Sequence, residues 1–131
     1  MKALTLFHSA MAHVAQSKPL CLRSCGRRGN VEGADVILVD DLIDTGGTIT
    51  RAAEVIMNKG AKSVRAICTH PILSGSAYEN IEKSVLTEML VSDTIPLSKE
   101  TSKIKVLTVA DLFAKAIYQI QNDASVSSLF L

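Results

Sequence analysis

The sequence lacks the features that mark several specialised classes of protein. Its 131 residues include no Trp, 4% aromatic residues, three cysteines and a net charge of only +1 at pH 7. So few cysteines do not make a disulfide scaffold and favour a reducing compartment. No apolar run reaches the ~20 residues that cross a bilayer, and a charge near zero gives no general case for a nucleic-acid partner. The 47% hydrophobic content is enough for the core of one globular domain.

The start of the chain differs in charge from the rest. Residues 1–30 hold five basic side chains and no Asp or Glu, whereas all 13 acidic residues follow from Glu32 onward. We therefore predict a basic leader over residues 1–29, poorly packed and poorly ordered, and a separate domain over residues 30–131. His8, His13, Cys21 and Cys25 in the leader do not have the spacing of a common zinc site. An acid-free, Arg-containing leader is also typical of transit peptides, so an organellar location is the alternative to the cytoplasmic location that we expect.

The domain shows a regular alternation of strand and helix patterns. Strands are predicted over residues 36–39, 63–70, 86–91 and 104–107, and helices over residues 48–59, 75–81 and 109–121. Gly60 is expected to end the first helix, and Leu112, Phe113, Ala116, Ile117 and Ile120 are expected to give the last helix one buried face. Such alternation favours an α/β fold with three layers and a mainly parallel sheet, in which residues 36–39 form a central strand.

The segment of residues 40–48 carries the clearest chemical signal. It leaves a buried strand and enters a helix, where backbone N–H groups and the helix dipole favour a phosphate. Gly46 and Gly47 allow a close approach of the backbone, and Thr48 is placed to cap the helix. Asp40 and Asp41 can accept hydrogen bonds from sugar hydroxyls or hold Mg²⁺ directly or through water. A phosphorylated pentose suits this combination.

Other interpretations of the same segment stay open. The chain has neither the GxxxxGK[ST] loop nor the GxGxxG fingerprint of two common nucleotide sites. The two aspartates and the Thr-Gly-Gly-Thr string could also be only turn chemistry and a helix cap. Farther along, His70 is interpreted as a satisfied histidine at a strand end and Cys68 as a core residue.

The string from Val39 to Thr48, VDDLIDTGGT, resembles the phosphoribosyl pyrophosphate signature of ribose-phosphate pyrophosphokinases, the PRPP synthetases. The resemblance continues through the CTHP string that ends at Pro71, Leu73-Ser74-Gly75, the DTIP string that ends at Pro96, and the terminal SVSSLF string. It covers about residues 29–131 and leaves the leader unmatched. It implies the C-terminal, type I phosphoribosyltransferase-like domain of such an enzyme.

The resemblance implies a function and a set of site residues. Family members transfer a pyrophosphoryl group from Mg-ATP to ribose 5-phosphate, giving PRPP and AMP for nucleotide biosynthesis, and they assemble as homo-oligomers. The residues implied for ribose 5-phosphate are Asp40, Asp41, Asp44, Thr45, Gly46, Gly47 and Thr48. The residues implied for a regulatory phosphate are Ser125, Val126 and Ser127.

Parts of the family pattern have no match in this chain. The ATP-binding domain and the loop with the catalytic Lys and Arg are not found, so no catalytic residue is assigned. Arg27 and Arg28 lie upstream of the signature, but their flanks do not match that loop. We expect a partial enzyme, and the alternative is a non-catalytic binder of ribose phosphates or a regulatory remnant. A small phosphoribosyltransferase is a weaker third interpretation, because nothing resembles a hood for the nucleobase.

Overall fold

The computed structural model describes residues 20–22 and 31–130. Its strands are β1 (Leu20–Leu22), β2 (Asp35–Ile43), β3 (Ser63–Pro71), β4 (Glu88–Ser92) and β5 (Ile104–Leu107). Its helices are α1 (Gly47–Asn58), α2 (Ala77–Lys83) and α3 (Ala110–Gln121), followed by a 3-10 helix (Val126–Leu129).

The five strands form one sheet in which the spatial order equals the chain order, β1-β2-β3-β4-β5. Each neighbouring pair is parallel. The longest pairing joins β2 to β3, from Asp35 opposite Ser63 to Ile43 opposite Pro71. The predicted α/β fold with a parallel sheet is confirmed. Apolar strands without strict alternation of apolar and polar residues are typical of such a sheet.

One face of the sheet is covered by helices. In α1 the residues Ile49, Ala53 and Ile56 are buried. Their spacing of four and three residues places them on one face of the helix. The helix ends where expected: Gly60 has φ +87° and donates its N–H to the Met57 carbonyl. Helix α2 contacts α1, so both lie on the same face. The buried core is formed between these helices and the strands. Its largest fully buried side chains lie on β2, β3, β4 and α2, together with Leu86 between α2 and β4.

The connection between β4 and β5 also crosses the helical side of the sheet. It is a loop without a helix, and Ser98 in it donates its backbone N–H to the Tyr78 hydroxyl on α2, at 2.9 Å. On the opposite face of the sheet, Arg65 pairs with Glu88 at 2.8 Å across β3 and β4. Val39, on that face, is 46% exposed. The helical layer packed on the described sheet therefore covers one of its two faces, so the described residues show two of the three predicted layers.

The structure differs from the sequence analysis at both ends of the chain. Leu20–Leu22 was assigned to the poorly packed leader, but it forms a strand paired with β2, which a run of three residues could not indicate. Helix α3 was expected to bury one face, and this was wrong: none of its residues is buried, and Phe113 and Ile117 are 55% and 65% exposed. The amphipathic pattern predicted the helix correctly but not a partner for it. The other residues of the leader lie outside the described part of the chain.

Within residues 20–22 and 31–130, every helix is too short or too polar to cross a bilayer.

Two valines on neighbouring strands, one on β4 and one on β5, allow a test of this core. Val91 and Val106 are register partners, but Val91 is 2% exposed and Val106 is 49% exposed. We expect Val91→Ala to lower the free energy of unfolding by about 1.5–3 kcal/mol, the contribution of a fully buried Val. Val106→Ala should lower it by less than about 1 kcal/mol, because little area is lost. Denaturant unfolding measures both, and equal losses would contradict this core.

Candidate functional site

The candidate site begins inside a strand. Residues 40–47 were expected to form a loop, but β2 continues to Ile43, because its pairing with β3 persists through Asp40 opposite Cys68 and Leu42 opposite His70. Only residues 44–46 lie between the strand and α1. Asp40 and Asp41 are exposed, and the Asp41 N–H donates to the Asp40 carboxylate at 3.0 Å. The site is therefore a short bend held between two regular elements.

Successive side chains of a strand point to opposite faces, and this separates the two aspartates. A cavity of about 240 Å³ lies at the end of β2. Its lining residues are Asp40, Leu42, Ile43, Asp44, Thr45, Gly46, Thr48 and Ile49. Five of the seven residues proposed from the resemblance are in this lining, and Asp41 and Gly47 are not. The cavity is smaller than the ~300–1,000 Å³ of drug-sized sites, which suits a small ligand.

The N-terminus of α1 faces this cavity without a side-chain cap. The cap residue is Gly46, with φ +72°, and no described side chain accepts a hydrogen bond from the N–H groups of the first turn, so the prediction that Thr48 caps the helix was wrong. The Thr50 hydroxyl instead donates backwards, to the carbonyls of Gly46 (3.0 Å) and Gly47 (3.1 Å). The first amides of a helix have no partner within the helix. Those of α1 are therefore available to an anion, which the helix dipole also favours.

The bend is held by a second segment of the chain, which sequence reasoning missed. Two backbone N–H groups reach it: Leu73 donates to the Ile43 carbonyl at 3.1 Å, and Ser74 donates to the Asp44 carbonyl at 3.0 Å. The Ser74 hydroxyl also donates to the Asp44 carboxylate. Asn80 on α2 donates its side-chain N–H to the Thr45 carbonyl at 3.0 Å. The string Leu73-Ser74-Gly75 was part of the resemblance, but no pattern in the sequence indicated that it contacts the bend.

Two residues on β3 lie near the same edge of the sheet. Cys68 is buried, as predicted, and burial raises the pKa of its thiol, with the negative charges of Asp40 and Asp41 raising it further. His70 lies at the end of the strand with its Nδ1 3.0 Å from the Thr94 hydroxyl, so the prediction of a satisfied strand-end histidine is confirmed.

The structure offers the site few ligands for a metal. Within residues 20–22 and 31–130, no group of three or more His, Cys, Asp or Glu side chains could hold a metal ion. Asp40 and Asp41 alone would leave most of the six positions around Mg²⁺ to water and substrate oxygens, which is a common arrangement for this ion.

The residues implied for a regulatory phosphate lie at the other end of the domain. Ser125 is the cap of the 3-10 helix, Val126 and Ser127 begin it, and this helix packs against α3. The Ser125 carbonyl accepts a hydrogen bond from the Ser128 hydroxyl at 2.8 Å. Within the described part of the chain, no hydrogen bond joins these residues to the bend at residues 44–46, so their role stays a prediction.

Comparison with known proteins settles the family. The model of the family described as "Phosphoribosyl synthetase-associated domain" matches residues 8–131. This chain belongs to the phosphoribosyl synthetase-associated domain family. The match begins at residue 8, whereas the predicted domain begins at residue 30. The boundary at residue 29 therefore stays a prediction.

Individual proteins are also similar to this chain. It is 62% identical over 103 residues to a ribose-phosphate pyrophosphokinase of Wolinella succinogenes and 54% identical over 103 residues to that of Campylobacter jejuni. Each alignment covers 79% of this chain and 33% of the relative. The chain therefore spans about a third of the length of these curated relatives. The crystal structure of phosphoribosylpyrophosphate synthetase from Mycobacterium smegmatis is similar with a TM-score of 0.82 and 26% identity, over 93% of this chain and 51% of that one.

The buried thiol at the site edge gives a chemical test of the placement of β3. Only the thiolate is nucleophilic, and burial raises the pKa of the Cys68 thiol above its ordinary value, so little thiolate forms near pH 8. We expect iodoacetamide to leave Cys68 unmodified in the folded chain and to modify it after denaturation. Peptide mass spectrometry measures both states, and rapid labelling of Cys68 in the folded chain would contradict its burial.

Proposed function

We propose that this chain is the ribose 5-phosphate-binding part of a ribose-phosphate diphosphokinase. The observation that carries the proposal is the bend at residues 44–46. There, the uncapped N-terminus of α1 and the side chains of Asp40 and Asp44 face one cavity. The relatives named ribose-phosphate pyrophosphokinase support it. In this proposal Thr45, Gly46, Gly47 and Thr48 bind the phosphate end, Asp40 and Asp44 accept from the ribose hydroxyls, and Asp41 supports the ribose and metal end.

The arrangement suits a ligand with an anion at one end and hydroxyls at the other. A phosphate at the first turn of α1 receives hydrogen bonds from backbone N–H groups and interacts favourably with the helix dipole. The carboxylates are acceptors only, so they repel a phosphate but bind hydroxyl donors. The two chemistries therefore orient the sugar, with its phosphate toward α1 and its hydroxyls toward the end of β2.

In the proposed reaction the anomeric hydroxyl of ribose 5-phosphate loses its proton and its oxygen bonds to the β-phosphorus of ATP. The bond from that phosphorus to the bridging oxygen of AMP breaks, and AMP leaves. Magnesium is the proposed cofactor. Asp40 and Asp41, whose side chains point to opposite faces of β2, would hold it through water, and it would supply charge neutralisation on the phosphates. The residues described here contribute binding and orientation of the acceptor sugar.

We further propose that the chain corresponds to the C-terminal domain of the enzyme, in the cytoplasm and in a homo-oligomer. The support is the resemblance of its last residues to the family ending. In that assembly Ser125, Val126 and Ser127 would form one wall of a regulatory phosphate site. ATP would be bound largely by residues of the other domain, and the catalytic Lys and Arg would come from it too.

A second function, binding without turnover, is favoured by one observation. None of the described residues that line the cavity is Lys or Arg, although phosphoryl transfer depends on cations that neutralise the moving charge. A chain with this site alone would hold a ribose phosphate and leave the transfer to another domain, or it would act as a regulatory remnant.

Binding is tested first, by isothermal titration of the chain with ribose 5-phosphate, ribose and inorganic phosphate, each with Mg²⁺. We expect ribose 5-phosphate to bind weakly and both fragments to bind more weakly still, because each fragment lacks one end of the ligand. Equal affinity for inorganic phosphate and ribose 5-phosphate would contradict a role for Asp40 on the sugar.

A matched pair of glycine variants ties the binding to the bend. Gly46 and Gly33 have nearly equal φ values, +72° and +69°, but only Gly46 lies in the site. Gly46→Ala and Gly33→Ala should each destabilise the chain by about 1–2 kcal/mol, the strain of a left-handed Ala. Only Gly46→Ala should weaken binding of ribose 5-phosphate, because its backbone shapes the first turn. Equal effects of the two variants on binding would contradict the site.

Turnover distinguishes the two functions. The chain incubated with ATP, Mg²⁺ and ribose 5-phosphate should release AMP no faster than a blank, because positioning of two substrates accounts for about 7–11 kcal/mol of catalysis. Addition of the ATP-binding domain of a ribose-phosphate pyrophosphokinase should restore turnover if the chain is part of the enzyme. Robust AMP release by the chain alone would contradict the assignment of ATP binding to another domain.

A further inference from the structure

We propose that Ser74 and Asn80 are positioning residues, which hold the bend at residues 44–46 in its ligand-binding shape before any ligand arrives. They belong to a segment, residues 73–81, that we name the clasp. The inference rests on the proposed function, because the ligand of the bend is taken to be ribose 5-phosphate. It goes further by assigning a role to residues that do not line the cavity.

The backbone of the clasp extends the order of the sheet beyond its last strand pair. The pairing of β2 with β3 ends at Ile43 opposite Pro71. Two more hydrogen bonds follow in sequence, from the Leu73 N–H to the Ile43 carbonyl and from the Ser74 N–H to the Asp44 carbonyl. The first residue of the bend is therefore fixed by the same kind of bond as the strand before it.

The side chains of the clasp fix the bend at two further points. The Ser74 hydroxyl donates to the Asp44 carboxylate, which lines the cavity. The Asn80 side-chain N–H donates to the Thr45 carbonyl at 3.0 Å and to the Ser76 hydroxyl at 3.2 Å. One bond sets the direction of a carboxylate, and the other sets the peptide plane that leads into Gly46. Both groups belong to the proposed ligand set, and neither residue of the clasp needs to touch the ligand.

The bend and the clasp also pack closely. A Cβ added at Gly46 would lie 3.4 Å from Ile81 Cγ1 and 3.6 Å from the Ala77 carbonyl oxygen, which is van der Waals contact, so α2 lies directly beside the bend. Leu73 has φ +50°, an unfavourable conformation for a side chain of its size, and it is only 4% exposed. Such strain persists where burial and hydrogen bonds over-determine the backbone, and it is found at ligand-binding segments.

A preorganised bend improves affinity because ligand binding does not have to order it. Loss of either hydrogen bond would let residues 44–46 sample other shapes. The expected weakening of ribose 5-phosphate binding is about 2- to 10-fold for the neutral Asn80 bond and about 10-fold or more for the Ser74 bond, whose acceptor is a carboxylate. Amide hydrogen exchange should become faster at residues 44–47 and stay unchanged in β3 and β4, because the opening is local.

The experiment compares Ser74→Ala and Asn80→Ala with conservative and control variants. Ser74→Thr keeps the hydroxyl and should restore the affinity, whereas Asn80→Asp keeps the shape, removes the donor and should weaken binding. Glu79→Ala, the neighbouring exposed position on α2, is the matched control and should bind as the wild type does. Each variant is measured by titration with ribose 5-phosphate, amide exchange and thermal unfolding.

The results separate this inference from the proposed function. Weaker binding and faster exchange at residues 44–47, with rescue by Ser74→Thr, would support the clasp. A lower melting temperature with unchanged affinity and unchanged exchange at the bend would overturn it, because Ser74 and Asn80 would then be only structural. If the wild type does not bind ribose 5-phosphate, the proposed function fails, and exchange alone decides: unchanged rates in Ser74→Ala and Asn80→Ala overturn the clasp, and faster rates support it.

Discussion

The pairing of β2 with β3 is the constraint on which the rest of the structure depends. These strands stay hydrogen-bonded over their whole length, whereas β4 pairs with β3 only as far as Cys68. The last part of the pair, up to Ile43 and Pro71, therefore projects beyond the other strands. Because β2 leads directly into the bend and α1, this projection decides where the helix N-terminus lies. Ligands of open parallel sheets bind at this edge, beyond the carboxyl ends of the strands.

The candidate site combines two segments with different physical tasks. The segment that follows β2 supplies what a ligand would meet, which is backbone amides, hydroxyls and carboxylates. The segment that follows β3 supplies hydrogen bonds to the bend and packs against it. The parallel arrangement makes this division possible, because the carboxyl ends of both strands lie side by side and their following loops meet. The acidic groups at the edge also act on a neighbour: Asp40 and Asp41 raise the pKa of the Cys68 thiol, which burial already raises.

Sequence patterns predicted the features that depend on nearby residues. The strand at residues 104–107 and the end of α1 at Gly60 were correct, because apolar runs and a left-handed glycine are local signals. The end of β2 was missed because Asp40 and Asp41 are poor strand formers, and only their pairing with β3 keeps them in the sheet. The cap at Gly46 and the contacts of the clasp were missed for a related reason, since both depend on residues about 30 positions away in the sequence. Periodicity alone likewise showed an apolar side on α3 without showing whether anything covers it.

The sequential order of the strands has a consequence for how the sheet can form. In the described sheet, every strand after β1 pairs with the strand that precedes it in the chain. Each of these strands therefore finds a partner that has already been synthesised. Each new pairing closes only the loop or helix between two neighbouring strands, and the entropy lost on closing a loop rises with its length. Assembly can therefore proceed from β2 toward β5 in the order in which a ribosome releases the chain. The bend, once α2 has emerged, would take its final shape before the last strand is added.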